Sequence, residues 1–447
     1  MCDRLQVPIT PQSQTHSTRR PIAIDLFSGA GGLSLGFEQA GFDVVAAVEY
    51  DAVHAATHLY NFPECEILCR DASRLSADDL LQAAERGFRR ANPRARWHGR
   101  VDAIVGGPPC QGFSAGGKRL ANDERNDLLL QFVRLVTEVQ PRVFCLENVA
   151  GLLEVKFEPV LKTALAELRA AGYEVSGTDT PVNSIDFGVP QRRKRAIILG
   201  SREGVIPPRP IPIQGKLSVA EALQGLPPLL DYPELLDSDE VELRSVDQEY
   251  RGGITAPYAR QLAGFDSIPG DRSRPRVWDP ILLTNSRRTI HGEATVRRFE
   301  MTRPGSVEPK SRLYRLPNEG PSRTLRAGTG SERGSHTSPR PIHPSVNRVI
   351  TVREAARLHG YPDWFRFHTT NWHGHRQVGN SVPPPLARAA AQVLMQLLGN
   401  RPGLLRSARK LGDPSLLRMN MATAKLVVNA VDDELPATRT RTLKQAE

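Results

Sequence analysis

Short apolar runs that stop at glycine, proline or an acid alternate with helix-forming stretches over the first two hundred residues, and few folds accept that pattern. The runs 22–27, 44–48, 66–68, 101–105, 142–146, 173–178 and 195–199 read as strands. The stretches 33–40, 52–59, 80–90, 127–139 and 159–171 between them read as helices. A strand repeatedly followed by a crossover helix predicts an α/β fold with a doubly wound, mostly parallel sheet. In such sheets ligands bind beyond the carboxyl ends of the strands. The alternation breaks after Arg202, where Pro207-Pro208-Arg209-Pro210 reads as a linker, 231–249 is acidic, and a loop-rich segment runs to about Arg340. Helix returns at 351–359 and 386–398, and beyond Arg401 the helical patterning is weak.

Four strand ends carry candidate chemistry. Gly106-Gly107-Pro108-Pro109-Cys110-Gln111-Gly112-Phe113-Ser114 follows the 101–105 strand, so a thiol sits on a stiff turn at the ligand-binding edge. A thiol there acts as a nucleophile when its thiolate is stabilised. Phe27-Ser28-Gly29-Ala30-Gly31-Gly32 joins a strand to a helix, where glycines let a ligand approach backbone N–H groups. Glu49 and Asp71 close the next two strands, placed to accept hydrogen bonds from a ribose and an adenine amine. Together they favour an adenosine-containing ligand.

Charge and cysteine usage narrow the class. The five cysteines (Cys2, Cys65, Cys69, Cys110 and Cys145) are irregularly spaced, which fits a reducing compartment rather than a disulfide framework. Cys65 and Cys69 lack the second pair that a metal site would need. No apolar run approaches the roughly 20 residues of a membrane span, and residues 1–20 lack an apolar signal core. Residues 251–340 hold 17 Lys and Arg against eight Asp and Glu, whereas the rest of the chain is nearly neutral at 42 against 41. Sixteen of those 17 bases are arginine, which predicts a polyanion-binding surface.

Five motifs in order carry a resemblance. They are Asp25-Leu26-Phe27-Ser28-Gly29-Ala30-Gly31-Gly32, Gly107-Pro108-Pro109-Cys110-Gln111-Gly112-Phe113-Ser114, Glu147-Asn148-Val149, Gln191-Arg192-Arg193-Lys194-Arg195 and Arg376-Gln377-Val378-Gly379-Asn380-Ser381-Val382-Pro383. The set resembles the DNA (cytosine-5)-methyltransferase family of bacterial restriction–modification type. The resemblance implies a Rossmann-like methyltransferase domain, discontinuous over 21–202 and 375–400, with a smaller, irregular target-recognition domain over 203–374. Residues 1–20 and 401–447 are expected as tails.

The resemblance assigns roles by position. Cys110 would attack C6 of a cytosine flipped out of duplex DNA, since the reacting atoms are unreachable inside the stack. Glu147 would hydrogen-bond and protonate the ring, and Arg193 and Arg195 would steady the pyrimidine and the thiolate. The methyl donor would be S-adenosyl-L-methionine, held by Phe27, Gly29, Gly31, Leu33, Glu49, Tyr50, Asp71, Ala72, Pro109, Asn380 and Ser381. DNA would meet Ser114 and Lys118 on a closing loop, and Arg323, Thr324 and Arg326 in the recognition segment. Family habit further implies a cytoplasmic, nucleoid-associated monomer with a cognate restriction endonuclease as functional partner. An RNA cytosine methyltransferase, acting on transfer RNA, and an inactive DNA-binding regulator are the alternatives.

Overall fold

Alternation within the first strand sets up both cores of the sheet. In β1 (Ile22–Leu26), Ile22, Ile24 and Leu26 point to one face and Ala23 and Asp25 to the other, all of them buried. The computed structural model, which describes residues 17–109, 127–328 and 340–431, extends β1 into an eight-stranded sheet. Its other strands are β2 (Asp43–Val48), β3 (Glu66–Leu68), β4 (Ala103–Gly106), β5 (Val143–Val149), β6 (Glu174–Ser176), β7 (Val182–Asn183) and β9 (Lys194–Ser201). The order is β3-β2-β1-β4-β5-β9-β6, with β7 also paired to β9. Strands β1 to β5 are parallel; β9 runs antiparallel to β5, β6 and β7. The expected doubly wound, mostly parallel sheet is thus present, and its order reverses between β1 and β4.

Helices α1 (Gly32–Ala40), α2 (Ala52–Asn61), α3 (Ala77–Ala91), α4 (Asp127–Val139) and α5 (Glu158–Ala170) cover the sheet. Helix α3 shows why they form. Ser76 and Asp79 make a reciprocal capping box at its start, and its buried residues Leu80, Ala83, Ala84, Gly87 and Phe88 recur at helical spacing. Leu80, Ala83, Ala84 and Phe88 join Ile24, Leu26, Ile104, Phe132 and Phe144 in one core.

The opposite core is closed by the far end of the chain. Helix α6 (Val352–His359) is followed by α7 (Asn371–Asn380) and α8 (Pro384–Leu397). Leu386, Ala390 and Leu394 of α8 pack with Ala23, Phe37 and Val105, and Gly36 of α1 lies against Ala387. Each such buried leucine contributes roughly 1.5–3 kcal/mol.

Three expectations are corrected. Strand β5 continues to Val149, so Glu147 and Asn148 lie within it, paired opposite Ile197 and Ala196 of β9. Residues 401–431 are not a tail: Leu416, Leu417, Ala424 and Val428 cover Ala52, Val53 and Ala56 of α2. The arginines of 251–340 do not form one outward surface. Arg276 makes a bidentate pair with Glu38, at 2.6 and 3.1 Å, with its side chain fully buried. Arg251 meets Asp363 at 3.1 Å, and Arg315 donates to the carbonyls of Phe299, Thr302 and Pro344. Arg297, Arg303, Arg312, Arg323 and Arg326 are exposed.

Candidate active site

The glycine turn after β1 is held open from below. Phe27 takes a left-handed φ of 60°, which reverses the chain, and Ser28 N–H donates to Val48 O of the neighbouring strand. Gly31 caps α1 at φ 103°, and a Cβ there would lie 2.5 Å from the Phe62 ring, so only glycine fits. Gly29 N–H donates to Glu49 Oε2 at 2.7 Å, while Glu49 Oε1 accepts from Asp51 N–H at 2.8 Å. Burial raises the Glu49 pKa, opposed by nearby His54 and by those N–H donors.

Beneath the turn, Asp25 Oδ2 accepts from Ser34 N–H at 3.0 Å, and Ser34 Oγ lies 2.6 Å from it and 3.0 Å from His58 Nε2. Burial pushes the Asp25 carboxyl up to about 7 and His58 down to about 3.

The residues expected to hold a nucleoside cofactor follow β1, β2, β3 and β4 or lie at the end of α7. Tyr50 is 43% exposed, so it is not core. Asp71 accepts from Ser73 N–H at 2.9 Å, capping a short turn that begins at buried Ala72. Leu33 is core by its side chain, leaving the start of α1 to offer backbone N–H groups. Ser381 and Val382 reach the turn from the far end of the sequence: a Cβ on Gly32 would lie 3.2 Å from Ser381 Cβ and against the Val382 carbonyl. Asn380 and Pro109 are exposed. The space over Gly29 is open, and Ser28 Oγ is buried without a partner among the described residues. An open glycine cradle, an orphaned hydroxyl and a carboxylate on the second strand fit an adenosine-bearing ligand.

The second half of the site lies between β4 and β5. A Cβ on Gly107 would come within 3.0 Å of Glu147 Oε2, so the loop leaving β4 passes directly against this carboxylate. Asn148 Nδ2 donates to Pro108 O at 3.2 Å and fixes that loop to β5. Arg195 Nε meets Glu147 Oε1 at 2.7 Å, both side chains nearly buried. Arg193 points elsewhere: its guanidinium donates to Leu325 O, Gly379 O and Ser381 O at 2.9–3.0 Å. Cys110, Ser114 and Lys118 lie outside the described residues. Cys65, Cys69 and Cys145 are buried and burial raises each thiol, to about 12 for Cys69, so none is equipped as a nucleophile.

The segment expected to meet DNA runs beside this edge. Strand β10 (Ser322–Arg323) pairs in parallel with β8 (Gln191–Arg192). Thr324 Oγ1 donates to Arg192 O at 2.7 Å, and the Arg323 guanidinium lies 4.0 Å over the Tyr314 ring. Arg323, Thr324 and Arg326 face solvent, with Leu325 buried between them. Sequence reasoning gave no role to Asn148, Gln191 or His359, although the first two sit inside recognised motifs. His359 follows no motif and emerges only from its contacts.

Residues 22–396 match the family described as C-5 cytosine-specific DNA methylase. The chain is 46% identical over 406 residues to Type II methyltransferase M.XorII of Xanthomonas oryzae pv. oryzae, covering 91% of this chain and 92% of that protein. It is 33% identical over 380 residues to Type II methyltransferase M1.HphI of Haemophilus parahaemolyticus, covering 84% and 87%. A crystal structure described as a prophage-encoded DNA modification methyltransferase of E. coli superposes with a TM-score of 0.66 at 32% identity, covering 85% of this chain and 99% of that one. Among the described residues no helix is long and apolar enough to cross a membrane. A glycine turn at the sheet's switch point, a Pro-Pro loop against a strand-borne glutamate, and this likeness over nine-tenths of the sequence agree: the chain belongs to the C-5 cytosine-specific DNA methylase family and is a DNA cytosine methyltransferase.

Proposed function

We propose that this chain transfers a methyl group from S-adenosyl-L-methionine to C5 of a cytosine flipped from a specific duplex site, as the modification half of a restriction–modification system. The contact between Gly107 and the Glu147 carboxylate carries this reading, because Cys110 follows that loop three residues later. The cofactor supplies an electrophilic methyl on a sulfonium. Phe27, Gly29, Gly31, Leu33, Glu49, Tyr50, Asp71, Ala72, Pro109, Asn380 and Ser381 are the residues proposed to hold it.

Cys110 attacks C6 as the thiolate, forming an S–C6 bond and pushing electron density onto the ring. Glu147 hydrogen-bonds the ring edge and donates a proton as that charge develops. C5, now an enamine carbon, would take the methyl as its bond to the sulfonium sulfur breaks, leaving S-adenosylhomocysteine. Loss of the C5 proton to a base then expels the Cys110 thiolate, and the ring returns its other proton to Glu147. Arg195 orients Glu147 by holding Nε 2.7 Å from Oε1, which leaves Oε2 to carry the proton. Arg193 acts further back, through the carbonyls it holds. Arg323, Thr324, Arg326, Ser114 and Lys118 are the proposed DNA contacts.

The packing of α8 on α1 supports a catalytic domain of 21–202 with 375–400 around a recognition domain of 203–374. Residues 401–431 belong with the catalytic part through α2. The Type II names of the relatives support a cognate endonuclease as functional partner. A cytoplasmic monomer is proposed with it.

Incubation with methyl-labelled S-adenosylmethionine and either duplex DNA or transfer RNA tests the reading. Label is expected in DNA as 5-methylcytosine, at one short sequence on bisulfite mapping. Label in transfer RNA alone, or in neither, overturns it.

A further inference from the structure

Leu325 and Ser381 belong to different parts of the proposed site, yet one buried set of side chains holds both. Leu325 N–H donates to Gln191 Oε1 at 2.9 Å, and Leu325 O accepts from Arg193 Nη1 at 3.0 Å. Gln191 Nε2 lies 2.9 Å from His359 Nδ1, and His359 Nε2 lies 3.0 Å from Ser381 O. Arg193 Nη2 reaches the same Ser381 carbonyl at 3.0 Å. Gln191 and His359 are fully buried, and Arg193 is 2% exposed.

One proton arrangement satisfies every group. Gln191 already accepts through Oε1, so its Nε2 donates to Nδ1, and His359 carries its proton on Nε2 and donates it to Ser381 O. Burial, with Arg193 alongside, keeps the imidazole neutral by holding its pKa well below the usual range. The backbones also touch: a Cβ on Gly379 would lie 2.5 Å from Ala327 N.

We infer that Gln191 and His359 are positioning residues that couple DNA engagement at the Thr324–Arg326 strip to cofactor affinity at Asn380–Ser381. The inference rests on the roles proposed above for those two segments. Thr324 and Arg326 present side chains to solvent, while the peptide groups of Leu325 between them are tied at both N–H and C=O. A shift of that strip is therefore felt at Gln191 and Arg193, whose other contacts converge on Ser381. Close-packed interiors pass such shifts on rather than absorbing them. By linkage, cofactor binding must tighten or loosen DNA by the same factor.

The test measures S-adenosylhomocysteine affinity of the full chain by calorimetry, with and without a saturating duplex carrying the mapped site. In the wild type the duplex is expected to change this affinity by about fivefold or more. His359→Met, which removes both hydrogen bonds at similar volume, should reduce the change to less than about twofold. His359→Gln can accept from Gln191 and donate to Ser381, and should restore it. His359→Asn is too short to reach Ser381 and should behave like the methionine variant; should His359→Met fail to fold, the Asn and Gln pair decides. Full coupling in folded His359→Met or His359→Asn, or none in the wild type, overturns the relay. No S-adenosylhomocysteine binding at all would instead remove the cofactor reading on which the relay stands.

Discussion

The sheet edge and the arginine-rich segment answer the same question in opposite ways. At the edge, residue type and position in sequence translate directly into place: Gly29, Glu49 and Gly107 follow the carboxyl ends of β1, β2 and β4, and Glu147 lies near the end of β5. In the 251–340 segment, a uniform excess of arginine conceals two populations. Arg251, Arg276 and Arg315 are internal struts, whereas Arg303, Arg312, Arg323 and Arg326 face solvent. The chain reads its motifs locally but uses its charges tertiarily. A guanidinium bonds a carbonyl or a carboxylate as readily as a phosphate, and what it meets is decided by packing.

The largest effect should come from the edge. Cys110→Ser is expected to lower turnover by about 10⁴-fold or more with DNA affinity little changed; near-normal turnover would remove the nucleophile. Glu147→Gln should lower turnover by about 10²–10⁴-fold while leaving S-adenosylhomocysteine affinity within about twofold. A large loss of cofactor affinity would move Glu147 from the pyrimidine to the cofactor.

The buried arginines are the next lever. Arg276→Ala leaves the Glu38 carboxylate buried and unpaired and should cost about 3–5 kcal/mol in urea unfolding, with the salt slope of DNA binding unchanged. Unaltered stability with a flatter slope would return Arg276 to the DNA surface.

A smaller effect belongs to Asp25. Its carboxyl holds a proton up to about 7 when folded, against an ordinary 3.8 when unfolded, so the folded state binds more protons between these values. Stability should therefore fall as pH rises from about 4 to about 7, by about 2–4 kcal/mol for this group. Asp25→Asn should flatten that decline in urea midpoints taken at pH 5 and pH 7.5. A decline of full size in the variant would assign it to other groups.

The smallest effect should come from the exposed strip. Arg323→Ala with Arg326→Ala is expected to reduce the salt slope of DNA binding by about two units, one per phosphate released, without changing the melting temperature. An unchanged slope would place the DNA elsewhere.

Much of the sheet was legible because each strand is a closed signal: an apolar run with a turn at its end. Strand β3 and helix α4 lie where the pattern put them. Helix α7 was missed because His373, Gly374 and Gly379 weaken its helical signal. It forms through tertiary bonds, with Gln377 bridging His368 N–H and Thr57 Oγ1, both at 2.9 Å. The Arg276–Glu38 pair joins residues 238 apart in sequence, beyond any local count of charge. The apolar positions of 401–431 keep no regular helical spacing, and they show a buried face only where α2 supplies the partner surface for Leu416, Leu417, Ala424 and Val428. The glycine turn and Glu147 were legible as motifs, whereas the junction at Gln191 and His359 was not. Its partners are backbone groups, which leave no mark in a sequence.

The central claim is that the Cys110 thiolate bonds C6 of the target cytosine before methyl transfer. A duplex with 5-fluorocytosine at the mapped site tests it most directly, because fluorine at C5 cannot leave as a proton and the S–C6 bond then persists. With S-adenosylmethionine present, the account predicts a denaturant-stable protein–DNA adduct whose modified peptide contains Cys110, absent in Cys110→Ser. Methylation of an ordinary duplex without any such adduct, or an adduct at another residue, would contradict it.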